Sequence, residues 1–220
     1  MAQKLNGIFN KNEVKQRLQN ARDGGYKLPL FNIATFIAFN ALIDQRCKSN
    51  QAYGHHLIAV SNDNTDSETK KIIGILHDVV EDSDWNLKDL KDVGFSDRVV
   101  NAVDALTHRE NEKYFDSIER CSLNKDALDV KLKDNRHNLD GSRNTFLPET
   151  KDVERQKKYI LTRQYLIDVK KGNTLPGTPI NEWILTKSEK LRDWELLKKN
   201  SSHKLRSSPR ANKNSLSKKL

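Results

Sequence analysis

Cysteine is almost absent from this 220-residue chain: Cys47 and Cys121 are the only two, and they form no CxxC pair. Nothing in that usage suggests a disulfide framework, and a reducing compartment suits it best. Long apolar runs are missing as well. The most apolar stretch, 28–43, is broken by Pro29, Asn32, Thr35 and Asn40 and is too short to span a bilayer. The N-terminal MAQKLNGIFNKNE lacks the apolar run of a signal peptide, so the expected location is the cytoplasm. Alternating strand patterns and internal repeats are also lacking. Apolar residues make up only 35% of the chain and the mean hydropathy is −0.80. The length allows one sizeable core, and the low apolar share implies that part of the chain stays outside it.

Acidic residues are missing from one place in particular. The 23 residues after Leu197, KKNSSHKLRSSPRANKNSLSKKL, hold eight Lys or Arg and no Asp or Glu. Without them the balance is 31 basic against 30 acidic residues (39 − 8 against 30), so the net charge of +9 falls to +1. A Ser-, Asn- and Lys-rich stretch with no apolar periodicity buries too little surface to offset its ordering entropy. The expected organisation is therefore a domain over 1–197 and a disordered basic tail over 198–220. The tail is either a solvated extension or an arm making weak contact with nucleic acid or the ribosome. It contains no aromatic residue to stack on a base.

What is present reads as helix throughout. Val14 and Leu18 share a face in a helix over 10–22 that Gly24-Gly25 stops. Ile33, Phe36, Ile37 and Asn40 fit a core helix over 32–46. Thr65 and Glu68 form a capping box that opens a helix running to about 82. Ser96 caps the helix carrying Val99, Val100, Val103 and Leu106. Helices over 114–121 and 125–138 follow, the second capped by Asn124. Further helices are expected over 149–171, closed by Gly172, and over 181–199 after a Pro-rich loop. The fold class is all-α, a helical bundle.

Chemistry concentrates in ILHDVVEDSD. His77 and Asp78 are consecutive, so on a helix they project roughly 100° apart and can pinch an ion. Glu81 and Asp82 stand one turn further along. Such crowding of carboxylates is costly without a cation, and acids at a helix C-terminus also oppose its dipole. Two other segments offer further ligands. QAYGHHLIAV supplies His55 and His56, and VKLKDNRHNLD supplies Asp134 and His137. Asp134 shares a helix face with the apolar Val130, where a carboxylate needs a partner or a metal. Arg136 and His137 either contact substrate or pack, and Lys133 is one further cation within reach.

HDVVED, the following LKDL, GF and VVNAVDALTHRENEKYFDSIE, and VKLKDNRHNLD resemble the HD domain of RelA/SpoT-type alarmone hydrolases, above all the short, hydrolase-only members. The resemblance spans roughly 31–140. It implies a helical bundle holding one Mn²⁺ ion through two His and two Asp, here His56, His77, Asp78 and Asp134. A mixed N/O donor set of this kind also suits Fe²⁺, Zn²⁺ or Mg²⁺. Glu81 and Asp82 match the acidic pair that handles the nucleophilic water, and Asn138 matches an asparagine near the nucleotide. The family's base-stacking arginine falls on Cys47, flanked by Arg46 and Lys48 as substrate-binding cations. The reaction implied is removal of the 3′-pyrophosphate of ppGpp or pppGpp. Two alternatives stand beside it: an HD phosphohydrolase acting on another nucleotide or NADPH, and a non-enzymatic module that binds nucleic acid or ribosome through the tail.

Overall fold

A computed structural model describes residues 8–63, 67–143 and 149–189, and the chain divides into two compact units, Met1–Pro179 and Ile180–Leu220. In the second unit a helix is described over 180–189. The basic tail and the domain limit at 197 lie outside the described residues. The first unit opens with α1 (Lys11–Asp23), capped by Asn10, whose side chain accepts from the amides of Asn12 and Glu13 while Glu13 reaches back to the Asn10 amide. α2 (Leu30–Ala41) starts behind Pro29 and buries Ile33, Ala34, Ile37 and Ala38. α3 (Gly54–Asn62), α4 (Glu68–Leu76) and the single turn α5 (Val79–Asp82) follow. The middle of the chain forms α6 (Leu87–Val93) and α7 (Asp97–Leu106), capped by Asn86 and Ser96. α8 (Tyr114–Ser122), α9 (Lys125–Asn138) and α10 (Thr150–Lys170) complete the unit, with Gly172 at φ 74° closing α10.

α4 is the central helix. Ile72, Ile73, Ile75 and Leu76 are all buried, so it is apolar on every side over its second half, as a helix surrounded by others must be. It packs on α2, α3, α7 and α9. Each such aliphatic side chain contributes about 1.5–3 kcal/mol on full burial. Among the described residues there is no strand, only one antiparallel bridge between Arg46 and Ala52. No described helix is long and apolar enough to cross a membrane.

Three sequence expectations need correction. α2 ends at Ala41 rather than 46, because the chain folds back on itself there. The Cys47 amide donates to Gln51 O at 2.9 Å, the Tyr53 amide to Gln45 O at 3.0 Å, and Asn50 takes the left-handed φ of 63° that makes the reversal. α4 opens at Glu68 with Ser67 as its N-cap, whereas Thr65 lies outside the described residues. The helix expected to continue to 82 is interrupted at His77-Asp78, and Glu81 and Asp82 ride on the separate turn α5.

Candidate active site

The interruption after α4 begins the site. His77 follows directly on α4, and its Nδ1 donates to Gly74 O at 2.7 Å, which turns its Nε2 toward α3 and α9. α3 can come this close because residue 74 is glycine: a Cβ there would meet Ser61 Cα at 3.0 Å and Val60 O at 3.2 Å. α3 carries His56 inward at 2% exposure, while His55 is on the outside. The Nε2 atoms of His56 and His77 face each other at 3.2 Å. Asp78 Oδ2 is 2.8 Å from His77 Nε2 and 3.7 Å from His56 Nε2. From α9, Asp134 Oδ1 is 3.3 Å from His56 Nε2 and 3.8 Å from His77 Nε2. His56, His77 and Asp78 present donor atoms that all lie within 4.8 Å of one another.

Lone pairs of buried imidazoles and carboxylates converging in this way repel unless a cation lies among them. With no metal bound, a proton on His77 supplies that positive charge. Burial works against a charge on His77, but Asp78 and Asp134 outweigh it and lift its pKa to about 10. Burial pushes Asp78 up, yet His77 brings it down to about 2. Asp134 sits at 3% exposure, and against the burial penalty Lys131 and the two histidines hold it well below the carboxylate range. Two imidazole nitrogens and two carboxylate oxygens fit one divalent first-row ion.

A second ring of contacts fixes these groups. The Tyr53 hydroxyl donates to Asp78 Oδ2 at 2.6 Å. Lys131 Nζ donates to Asp134 Oδ2 at 2.8 Å and Asn138 Nδ2 to Asp134 Oδ1 at 2.6 Å. His137 stacks on His56 with the two Nδ1 atoms 2.8 Å apart; burial, Arg143 and His56 push its pKa down to about 4.

Beside the four donors opens a cleft of about 380 Å³. Its lining holds the acids Asp78, Glu81, Asp82 and Asp134 and the cations Arg46, Lys48, Lys131, Arg143 and Arg155. Leu106, Ile118, Tyr114 and Tyr159 supply apolar surface, and Cys47 and Asn138 are also in the lining. Glu81 Oε2 accepts from the backbone amide of His108 at 2.9 Å. Glu81, Asp82, Asp78, Asp134, Arg46, Lys48 and Asn138 therefore lie at this cleft, and His56 and His77 at the donor cluster beside it, whereas His55 stays on the outside. Arg136 pairs with Asp63, also on the outside, and Lys133 is not in the lining. Sequence reasoning missed Tyr53 as the partner of Asp78, and Lys131, Arg143 and Arg155 as cleft cations. Lys131 had a signal, since 131, 134, 135 and 138 form one face of α9. Lys48 and Arg155 both reach Asp152, which moderates their charge.

No family model matches this sequence, and no curated protein matches it in sequence. Among solved structures the chain is similar to one described as a metazoan ortholog of SpoT that hydrolyses ppGpp and plays a role in starvation responses. The two are 22% identical, with a TM-score of 0.55 over 74% of this chain and 97% of that one. This chain shares the fold of that SpoT ortholog. The likeness is one of fold, and it bears out the all-α helical bundle expected from the sequence.

Proposed function

We propose that this chain is a metal-dependent phosphohydrolase that removes the 3′-pyrophosphate of ppGpp or pppGpp, giving GDP or GTP and pyrophosphate. The observation that carries the reading is the convergence of His56, His77, Asp78 and Asp134 at the edge of a cleft lined by both acidic and cationic side chains. His56, His77, Asp78 and Asp134 would hold a Mn²⁺ ion, which would supply Lewis acidity toward a phosphoryl oxygen and toward water, and Fe²⁺, Zn²⁺ or Mg²⁺ would suit the same donors. Glu81 orients the attacking water and takes its proton, with its Oε2 kept in place by the His108 amide; such base catalysis is typically worth about 10²–10⁴-fold. Asp82 shares that role from the same helical turn. Water attacks the phosphorus bound to the 3′ oxygen, that P–O bond breaks, and the 3′ oxygen leaves with the electron pair and gains a proton. Arg46, Lys48, Lys131, Arg143 and Arg155 balance the charge of the phosphates, and Asn138 stands near the nucleotide. The ppGpp hydrolysis described for the metazoan SpoT ortholog supports this substrate.

Cys47 favours a second reading. It lines the cleft where the resemblance calls for a base-stacking arginine, so another nucleotide or NADPH is the alternative substrate. The test is turnover of ppGpp by the purified chain with Mn²⁺ added or chelated, beside ATP, GTP, NADPH and a deoxynucleotide monophosphate. GDP and pyrophosphate are expected only with metal and only with Asp78 intact. Metal-dependent turnover of another member of that panel, with ppGpp untouched, would move the assignment to the second reading.

A further inference from the structure

The loop between α7 and α8 is built around one side chain. Arg120, on α8, sends its guanidinium under residues 104–112, and its side chain is 19% exposed. Its Nε and Nη2 donate to the two Glu112 carboxylate oxygens at 2.7 and 2.8 Å. Nη2 also donates to Thr107 O at 2.8 Å, and Nη1 to Asp104 O and Ala105 O at 3.0 and 3.3 Å. Three carbonyls at the C-terminal end of α7 thus receive a cation, where the helix dipole favours one. Glu112 in turn accepts the Arg109 amide at 3.0 Å, and Asn111 takes a left-handed φ of 61° to close the turn. The next contact is with the site. The His108 amide, inside the loop held by Arg120, donates to Glu81 Oε2 at 2.9 Å, and His108 lines the cleft.

Resting on the hydrolase reading above, we propose that Arg120 is a positioning residue: by clamping the loop through Glu112 and the α7 carbonyls, it fixes the His108 amide on Glu81 and so sets where that carboxylate stands. Arg120 is not a substrate cation. It is absent from the cleft lining, and a bidentate carboxylate already takes up its charge. Lysine is no substitute, because one ammonium cannot span Glu112 and three carbonyls in a planar fork. The pair persists in mild acid, since Arg120 holds the Glu112 carboxyl down at about 2.

The experiment uses the full metal-loaded chain with Arg120→Lys and, because the larger loss of contacts could impair folding, Glu112→Gln as well. Each is expected to lower kcat by about 10–100-fold, as loss of an outer contact does, with KM and Mn²⁺ affinity unchanged. Hydrogen exchange at the His108 amide should speed up in both. In a Glu81→Gln background, Arg120→Lys should cost nothing further, because the residue it acts through is already disabled. Additive losses in that background, a change in KM alone, or an unchanged His108 exchange rate would each overturn the proposal. A wild-type chain that turns over no nucleotide refutes the hydrolase reading instead, and the His108 exchange still decides whether Arg120 governs the contact to Glu81.

Discussion

Burial opposes a charge on His77, yet Asp78 Oδ2 at 2.8 Å and Asp134 Oδ1 at 3.8 Å outweigh it and raise its pKa to about 10. A metal ion taking His77 Nε2 must displace that proton. Below about pH 10 binding is therefore expected to release a proton from this residue, seen as a dependence of the calorimetric enthalpy on buffer ionisation. The sign for stability follows from the same shift. A raised histidine pKa stabilises the metal-free chain fully below the ordinary value of about 6.5, and that contribution is lost as pH rises through about 10. The rise in Tm on adding Mn²⁺ should accordingly grow from neutral to alkaline pH, and a shrinking increment would contradict this assignment. At this scale the sequence was legible where neighbours in the chain cooperate. His77, Asp78, Glu81 and Asp82 stood out by spacing alone. Tyr53 did not, because its hydroxyl meets Asp78 only through folding, and nothing in the order of residues separated Arg136, which turns to Asp63, from His137, which stacks on His56.

Gly74 matters to elements more than to residues. It lets the backbone of α3 lie against α4, it lends its carbonyl to His77, and α3 brings His56 to the site. A methyl group at 74 would press on the backbone of Val60 and Ser61, which cannot rotate aside, so the helices must part. Gly74→Ala should destabilise the chain by about 1–3 kcal/mol, in the range of overpacked cores. It should also weaken Mn²⁺ binding, because the gap between His56 and His77 widens with the helices. Chemical denaturation and metal titration of the same variant check both; destabilisation with unchanged metal affinity would mean that α3 and α4 do not set the gap. Helix starts were readable from the caps Ser96 and Asn124, whereas Ser67 rather than the expected Thr65 caps α4. Helix ends were readable where a glycine follows, as at Gly24 and Gly172, and not at α2. The apolar pattern of α2 continues through Leu42 and Ile43, and only the fold-back joining Arg46 to Ala52 terminates it. The break at His77-Asp78 was equally invisible, since both residues keep right-handed helical backbone angles.

For the molecule as a whole, charge divides along the chain. Residues 1–197 are nearly neutral at +1, and the last 23 carry the remaining +8. The residues proposed to bind metal and substrate all fall between 46 and 155. A charge of +8 attracts polyanions such as a nucleotide, and such attraction is screened beyond about 10 Å at 0.1 M salt. A chain ending at residue 197 should therefore keep the kcat of the full chain on ppGpp. It should lose part of kcat/KM at low ionic strength and match the full chain at high salt. Kinetics of both forms over a range of salt concentrations separate this from the binding-module alternative, in which the tail is the functional element. In that case truncation removes nucleic-acid affinity, with its steep salt dependence, while Asp78→Ala leaves the protein's function intact. A tail that steers substrate shows the opposite pattern: Asp78→Ala abolishes turnover, and truncation changes only how kcat/KM responds to salt.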